Sequence, residues 1–395
     1  MINKTENKNL GIDLDKAISS GLNWVVKSGI INEENDAKKK GGVYAWYEPD
    51  EKKFSYLYSE ITGYMITFLV YFFQKTGDKK YLKLAEDCAR WLTKISYFKP
   101  GQGVFCRYYP ESGNFRRQIC TFDNGVVLNG LANLCKVSKI PGLREIIENL
   151  DKKIKSNFKT KNRFCLHRYL PDEKRFEKEA SPWSHQGGSF LLKSATGVLN
   201  QGLMSRENKD GVSLVKNICG KVIKMQQKDG RFVTDKFKNH TYLHPHCYTL
   251  EGLTIAGVIL KRKDFLKAAA RGIEWIIRKQ LPSGGFPNQF SGEEFSSLES
   301  IDIDSQIMRL WTIHNSLNLI SLDKADYIKG IKNIIGFQNS SRKKIIRGGF
   351  RYGTDIEDRR LNHINTWGSI FALQALDMIK ENLNQSFSFR PFLLV

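Results

Sequence analysis

Two kinds of helical pattern alternate along the chain. Amphipathic segments, with apolar residues at helical spacing, are predicted near residues 12–28, 79–96, 142–158, 212–227, 264–280 and 325–338. The segments that follow them are apolar nearly all round and should be buried, near residues 58–75, 121–137, 184–200, 246–260, 303–320 and 363–380. Six pairs of one exposed and one buried helix predict an all-α protein.

A short aromatic motif recurs in the connections that precede the buried segments. Its three copies place Pro49, Pro110 and Pro171 at equal intervals of 61 residues (110 − 49 and 171 − 110). Each proline is followed by an acidic residue, which favours a tight turn, and the flanking aromatic residues favour two short strands. Later connections keep a glycine–aromatic turn without the proline, at residues 230–232, 284–286 and 348–350. A fixed period of this kind is typical of a repeat architecture.

Six such hairpins can close into a ring with the buried helices inside, an (α/α)6 toroid with short β-hairpins in the outer-to-inner loops. In its helix pattern and glycine–aromatic turns the chain resembles the six-hairpin glycosidase superfamily and, more distantly, the squalene-cyclase and prenyltransferase toroids. The likeness covers residues 12–380, which we expect to form one domain. Residues 1–11 are predicted to be a flexible leader and residues 381–395 a C-terminal tail. An open solenoid of helix pairs is the alternative architecture.

The composition of the chain limits the classes of molecule that we expect it to bind. The net charge of +21 fits either an anionic ligand or a basic solvated surface. No sequence motif of a known nucleic-acid-binding module is found, so we expect no nucleic-acid partner. No apolar run reaches the roughly 18 to 20 residues that span a bilayer. The seven cysteines lack a CxxC pair and no secretory signal is visible, which favours reduced thiols in the cytoplasm.

The long connections all lead into the buried helices, so they meet at the end of the ring where those helices begin. Free backbone N–H groups converge there and favour anions. Four acids lie at or near these helix starts: Glu60, Asp123, Glu251 and Asp304. A buried carboxylate requires either a partner or a function, and cleavage of a glycosidic bond requires two. The resemblance implies acids at this end, which makes Glu60 and Asp123 the first candidate pair; Asp304 and Glu251 are the second.

Other side chains at the same end are candidates for proton transfer or sugar binding. His185 and His246 could act as a general base or donate to a sugar hydroxyl. Polar or aromatic candidates for substrate contact are Tyr58, Tyr64, Trp183, Trp367, Asn124 and Gln186, and arginines of the hairpin loops are Arg107, Arg116, Arg117 and Arg168. Helix capping, core packing and ordinary solvated charge are the competing explanations for these residues. The histidines at 240, 244 and 246 lack a matched second half of a zinc motif, so no metal or cofactor is expected.

These observations favour a carbohydrate-active enzyme, most simply a glycoside hydrolase acting on an acidic, uronate-containing saccharide. A uronate lyase or C5-epimerase is an alternative, with Tyr58, His185 or His246 abstracting a proton beside the carboxylate. A non-catalytic saccharide-binding protein on the same ring is another alternative. The glutamine–aromatic turns at 226–232 and 280–286 resemble those of terpene cyclases, which is the last alternative.

Overall fold

The computed structural model describes residues 4–99, 101–161, 163–204, 209–355, 357 and 359–395. Its α-helices, in chain order, are α1 (Lys4–Lys27), α2 (Ser59–Thr76), α3 (Lys79–Trp91), α4 (Thr121–Cys135), α5 (Leu143–Phe158), α6 (Leu192–Met204), α7 (Lys209–Ile223), α8 (Leu243–Ile259), α9 (Lys263–Ile277), α10 (Ile301–Ser316), α11 (Lys324–Gly336) and α12 (Thr366–Leu383). The even-numbered helices are buried along most of their length, as their continuous apolar sequence predicts.

The even-numbered helices form a closed inner ring. Each of them packs against the next, from α2 to α12, and α12 packs back against α2. The odd-numbered helices lie outside, each against an inner helix: α3 on α2, α5 on α4, and in the same way to α1 on α12. This closure confirms the predicted (α/α)6 toroid and excludes the open solenoid. Within the described part of the chain, no helix combines the length and apolarity that crossing a membrane requires.

Short strands fill the connections from outer to inner helices. They are β1 (Trp46–Glu48), β2 (Lys53–Phe54), β3 (Leu57–Tyr58), β4 (Tyr97–Lys99), β5 (Gly103–Val104), β6 (Arg107–Tyr109), β7 (Asn114–Arg116), β8 (Ile119–Cys120), β9 (Arg168–Leu170), β10 (Arg175–Phe176), β11 (Thr241–Tyr242), β12 (Gln289–Phe290) and β13 (Ile364–Asn365). They pair antiparallel in the orders β13-β1-β2, β3-β6-β7, β10-β9-β8, β11-β12 and β4-β5. Because most of these sheets combine strands from different connections, they tie neighbouring repeats together around one end of the ring, the mouth.

The proline motifs form the predicted hairpins. The tyrosine before each proline lies directly opposite the phenylalanine after it, and the pairs are Tyr47 with Phe54, Tyr108 with Phe115, and Tyr169 with Phe176. Their rings are in contact, with centroids 5.0 to 5.2 Å apart. Cross-strand aromatic pairs of this kind stabilise a short ladder, which explains the fixed phase of the repeat.

A recurring hydrogen bond joins the glycine-containing turns to the inner helices. In five repeats the backbone N–H of the turn donates to the side chain of the fourth residue of the following inner helix. The acceptors, at 2.8 to 3.2 Å, are Thr62, Asn124, His246, Asp304 and Ser369. These bonds satisfy buried backbone donors that no strand partner reaches.

Two helix starts differ most from the sequence prediction. Helix α1 begins at Lys4, so residues 4–11 of the expected leader are helical, while residues 1–3 lie outside the described part. The third inner helix begins at Leu192 rather than near residue 184, because Gly187 and Gly188 interrupt the chain between one 3-10 turn, Trp183–His185, and a second, Ser189–Leu191, that leads directly into the helix.

The expected C-terminal tail folds back into the ring. Its 3-10 turn, Pro391–Leu393, packs against α2, α4, α6 and α8, and Val395 is fully buried. The carbonyl of Phe392 accepts from Asn129 and Asn133 near the C-terminal end of α4. The last residues therefore fill the ring axis from the end opposite the mouth.

Candidate functional site

The N-terminal ends of the inner helices surround a cavity of about 340 Å³, which we call the first cavity. Carboxyl, guanidinium, imidazole and aromatic groups line it. They are Glu60, Asp123, Arg107, Arg116, Arg168, His167, His185, His244, Tyr58, Tyr248, Phe122, Trp183 and Trp367. The two acids of the first candidate pair therefore share one cavity, together with three of the four arginines proposed for substrate contact.

Helical position decides which side chains reach the mouth. The second residue of five inner helices faces it: Glu60, Phe122, His244, Asp302 and Trp367. Two residues along a helix turn the side chain by about 200°, so the fourth residue faces away, toward the turn that it satisfies.

Glu60 and Asp123 lie on the neighbouring helices α2 and α4, and both are buried. Burial raises the pKa of Glu60, while the indole N–H of Trp367, 3.2 Å from Glu60 Oε1, opposes the rise. Burial also raises the pKa of Asp123 well above its usual range, and the charge of Glu60 adds to this. Asp123 Oδ2 has no hydrogen-bond partner among the described residues. The pair thus combines a carboxyl that holds its proton with a second acid close enough to interact.

Arginines form one side of the first cavity. Arg107 on β6 lies directly opposite Arg116 on β7, although like charges in this position destabilise a sheet. Arg168 is fixed from β9 by Glu177 Oε2 at 3.0 Å and by the carbonyl of Ser184 at 3.1 Å. Three guanidinium groups that face one small cavity suit an anion such as a carboxylate.

Arg117 is not brought to this cavity. It pairs with Asp172 at 2.7 Å, and about half of its side chain is exposed. Its neighbour Arg116, which the sequence also suggested, lines the cavity. Successive side chains of a strand point to opposite faces, so the pairing of Arg107 with Arg116 could have selected the correct arginine from the sequence.

His244 stands where the first cavity meets a second one. The second cavity, of about 380 Å³, shares Trp183, His244 and Trp367 with the first and is otherwise lined by Trp46, Tyr242, Asn288, Gln289, Ser300, Asp302, Ile303, Tyr352, His363 and Asn365. Its aromatic faces suit sugar rings, and together the two cavities form one cleft across the mouth. The sequence suggested Trp183 and Trp367 for this purpose, and both line the cleft.

His244 and Asp302 form a pair that is largely buried, with Nδ1 2.9 Å from Oδ2. Burial opposes protonation of the imidazole, but the Asp302 carboxylate outweighs it and raises the pKa of His244 above its usual range. The sequence suggested His244 only as a zinc ligand, and Asp302 was not among the four candidate acids. Each lies two residues before a side chain that accepts a hydrogen bond from a glycine-containing turn, His246 or Asp304. This spacing is the signal that could have identified His244 and Asp302.

The other residues predicted to contact substrate differ in whether their polar groups are free to bind it. His185 lies at the rim, about one third exposed, with Nδ1 3.3 Å from Glu177. Tyr58 is buried in the cavity lining, and burial raises the pKa of its hydroxyl well above the usual range. Gln186 touches the cavity, but its amide donates to Asp235 and accepts from a backbone N–H.

Asn124, His246 and Asp304 lie outside both cavities, because their side chains accept from the turns described above. Burial lowers the pKa of His246 to about 4, which keeps Nδ1 free to accept the Phe232 N–H. Asp304 also accepts from Asn333 at 3.0 Å. We therefore do not include these three residues in the candidate site.

Glu251 and Tyr64 lie deeper in the ring. Glu251 is fully buried between Arg309, 2.8 Å from Oε1, and Lys193, 2.9 Å from Oε2. Tyr64 stacks beneath Tyr248, with ring centroids 6.4 Å apart. Glu251 therefore belongs to an internal ion network rather than to the cavity, and Tyr64 supports the cavity floor.

One group in the described part of the chain has potential metal ligands close together. Atoms of Cys106, Cys120 and Asp123 all lie within 4.8 Å of one another. Two thiols and a carboxylate fit zinc in kind. However, Arg107 and Arg168 act electrostatically on the same side chains and would repel a divalent cation, so we assign no metal.

Comparisons with known proteins agree with the architecture. The family model of pectic acid lyase matches residues 27–166. The structure of a sugar epimerase from a ruminal bacterium has a TM-score of 0.76 at 10% identity and covers 93% of this chain and 98% of its own. The fold is that of the six-hairpin glycosidase-like (α/α)6 toroids.

Two further toroids show the range of activities on this fold. Cellobiose 2-epimerase from Bacillus thermoamylovorans B4167 has a TM-score of 0.75 at 11% identity, with 95% of this chain and 100% of that chain covered. Unsaturated glucuronyl hydrolase from Bacillus sp. GL1, responsible for the degradation of glycosaminoglycan, has a TM-score of 0.65 at 13% identity, covering 93% and 96%. No curated protein matches the sequence. At these identities the likeness extends to the fold alone, since one scaffold hosts many chemistries.

Proposed function

We propose that the protein is a glycoside hydrolase that cleaves an acidic, uronate-containing saccharide with Glu60 and Asp123. The observation that carries this proposal is the pair of buried, interacting carboxyls in a cavity that three arginines also line. A glycosidase requires one carboxylic acid to protonate the leaving oxygen and one carboxylate to activate water or attack the sugar.

The two environments suggest the division of roles. Asp123 has the more strongly raised pKa and an oxygen without a protein partner, which suits the general acid. Glu60 accepts the Trp367 N–H, which stabilises its ionised form, so it suits the base or nucleophile. In the reaction the Asp123 proton goes to the leaving oxygen. A water supplies hydroxide to the anomeric carbon, and its proton passes to Glu60.

The cleft suggests how the substrate lies. A uronate carboxylate would bind Arg107, Arg116 and Arg168 in the first cavity, where charge-assisted bidentate bonds are possible. The neighbouring sugar would then lie against the aromatic rings of the second cavity, with Trp367 at the boundary. This arrangement brings the bond between the two sugars close to both acids.

Product analysis tests the proposal. Purified protein is incubated with a panel of neutral and uronate-containing oligosaccharides, and hydrolysis appears as a gain of roughly 18 Da across two fragments. Glu60→Gln and Asp123→Asn should retain binding and lose about 10²- to 10⁴-fold in turnover, the usual contribution of a positioned acid or base. Asp172→Asn, an exposed acid on the hairpin surface, is the matched control and should behave as wild type. Full turnover in Asp123→Asn would contradict the proposal.

A second candidate function is proton abstraction from a uronate, as in a lyase or C5-epimerase. The His244–Asp302 pair supports it, because a carboxylate partner increases the basicity of imidazole. His244 would then take the role that the sequence suggested for His246, with Tyr58 or His185 as the second group. A lyase would give new ultraviolet absorbance without water uptake, and an epimerase would give exchange with solvent deuterium. Binding that resists both acid substitutions, with no product by any assay, would instead favour a saccharide-binding protein.

A further inference from the structure

Two cysteines stand at the base of the hairpin that carries Arg107 and Arg116. Cys106 directly precedes β6, and Cys120 ends β8 and is the N-cap residue of α4. They are 14 residues apart in sequence (120 − 106), yet their sulfur atoms lie within 4.8 Å of each other. The two thiols are therefore in contact with each other, and they lie at the edge of the proposed substrate cavity.

The surroundings of Cys106 differ from those of the other buried thiols. Its partner Cys120 keeps its proton, because the hydrogen bond to Cys106 and burial raise its pKa well above the usual range. Burial raises the pKa of Cys88, Cys165, Cys219 and Cys247, which makes them poor nucleophiles. In Cys106 a hydrogen bond from Cys120 lowers the thiol pKa and outweighs its burial.

The arginine side of the cavity reinforces this difference. Arg107, Arg116 and Arg168 all favour the Cys106 thiolate. Cys120 lines the first cavity and is only partly buried, so a small solute that enters the cavity can reach the pair. A thiolate beside cations with a second thiol within reach is the arrangement of redox-active dithiols.

We propose that Cys106 and Cys120 form an oxidisable dithiol in the wall of the cavity, which hydrogen peroxide converts into an intramolecular disulfide. The inference goes beyond the proposed hydrolase activity and does not depend on it. It assigns the pair as a modification site, with a small neutral peroxide as the co-reactant.

The chemistry balances with one peroxide for two thiols. The Cys106 thiolate attacks one peroxide oxygen and breaks the O–O bond, which gives a sulfenic acid and, after protonation of the leaving hydroxide, water. The Cys120 sulfur then attacks the Cys106 sulfur, the S–S bond forms, and the hydroxyl leaves as a second water. Both cysteines are oxidised by one electron each, and the peroxide is reduced by two.

Closure would alter the cavity. A disulfide holds its sulfur atoms about 2.05 Å apart, so the two backbones must adjust to the new bond. The residue next to Cys106 is Arg107, and Asp123 follows Cys120 in the first turn of α4. Oxidation should therefore displace an anion-binding group and a carboxyl together, while a thiol reductant should restore both.

Thiol counting tests the inference without any substrate. The full-length protein is treated with graded hydrogen peroxide in the presence of a metal chelator, then denatured, alkylated and weighed by mass spectrometry. Of the seven cysteines, wild type should lose two alkylation sites together, and peptide mapping should join Cys106 to Cys120. A reductant should return all seven sites.

Three variants make the result specific. Cys106→Ser should keep six alkylation sites under peroxide doses that oxidise the pair in wild type. Cys120→Ser should form no disulfide, and its Cys106 should stop at the sulfenic acid, which a reductant returns to the thiol. Cys135→Ser removes a partly buried thiol at the far end of α4 and should still lose two sites. The inference fails if wild type keeps all seven sites, or if the mapped disulfide joins other cysteines. Because no step uses a saccharide, these outcomes are independent of the hydrolase test.

Discussion

Two buried carboxyls, Glu251 and Asp123, should respond to the loss of their charge in opposite ways. Glu251 neutralises two buried cations, Lys193 and Arg309, whereas Asp123 Oδ2 has no protein partner among the described residues. We therefore predict that Glu251→Gln destabilises the fold and that Asp123→Asn does not. The comparison separates an acid that supports the structure from the acid that we propose for catalysis.

The size of the effect follows from the burial of the ion network. Glu251 and Arg309 have 0% side-chain exposure and Lys193 has 3%. Removing one partner of a buried ion pair costs about 3–5 kcal/mol, because the remaining charge stays desolvated. For 395 residues, an unfolding entropy of about 2.1 cal/mol/K per residue gives a fall in Tm of about 4–6 °C.

Asp123→Asn should leave Tm unchanged or raise it, with a characteristic dependence on pH. The pKa of Asp123 is raised in the folded protein, so between its unfolded and folded pKa values the native state binds the extra proton. Stability of wild type therefore falls as pH rises through this window, and the Asn variant lacks this loss. The advantage of Asp123→Asn should grow from about pH 4 upward, since ordinary aspartate titrates near there.

Thermal unfolding by calorimetry, at several pH values, measures both variants alongside wild type. A Glu251→Gln protein that melts with wild type and yet loses turnover would refute the structural role of Glu251. An Asp123→Asn protein that melts several degrees lower at every pH would refute the view that Asp123 is an unsatisfied, functional acid.

Two further predictions concern the arginines and the His244–Asp302 pair. Arg107→Ala should weaken binding of a uronate by about 10- to 100-fold, since hydrogen bonds to charged groups contribute about 1.5–3 kcal/mol. Arg117→Ala, which removes the exposed arginine outside the cavity, should leave the affinity unchanged. Equal losses of affinity in the two variants, measured by titration calorimetry, would contradict the assignment of Arg107 to the cavity wall. Asp302→Asn should lower the pKa of His244, measured by NMR, because the carboxylate is what raises it. The His244–Asp302 pair stabilises the wild-type fold fully at pH values above the usual pKa of Asp302, which the pair lowers. This stabilisation is lost as pH rises through the raised pKa of His244. A stability difference between wild type and this variant that persists unchanged at high pH would contradict that origin.

The ring could be predicted from the sequence because its signals are local. Apolar periodicity identified all the inner helices, and the fixed phase of tyrosine and phenylalanine around each proline identified the hairpins. The break before α6 was missed because the polar residues Ser184, His185 and Gln186 resemble the polar first turns of the other inner helices. Only the pair of glycines before Ser189 indicates the interruption.

The site was harder to predict because it depends on which face of a helix each residue occupies. His244 and His246 are both in the first turn of α8, and only the rotation between them separates the cleft from the turn. Glu60 could be selected because it is the one acid in its turn. Asp302 and Asp304 could not be separated without knowing that the turn at Phe286 requires an acceptor.

The folded-back tail makes the ring a cup rather than a tunnel. Phe392 and Val395 occupy the axis below the cleft, held by donors from the inner helices. A long polymer therefore cannot thread through the protein while it is processed. Whatever enters at the mouth must also leave there, so each product has to clear the cleft before the next molecule binds. For the proposed hydrolase, strong retention of an anionic product would therefore limit the rate.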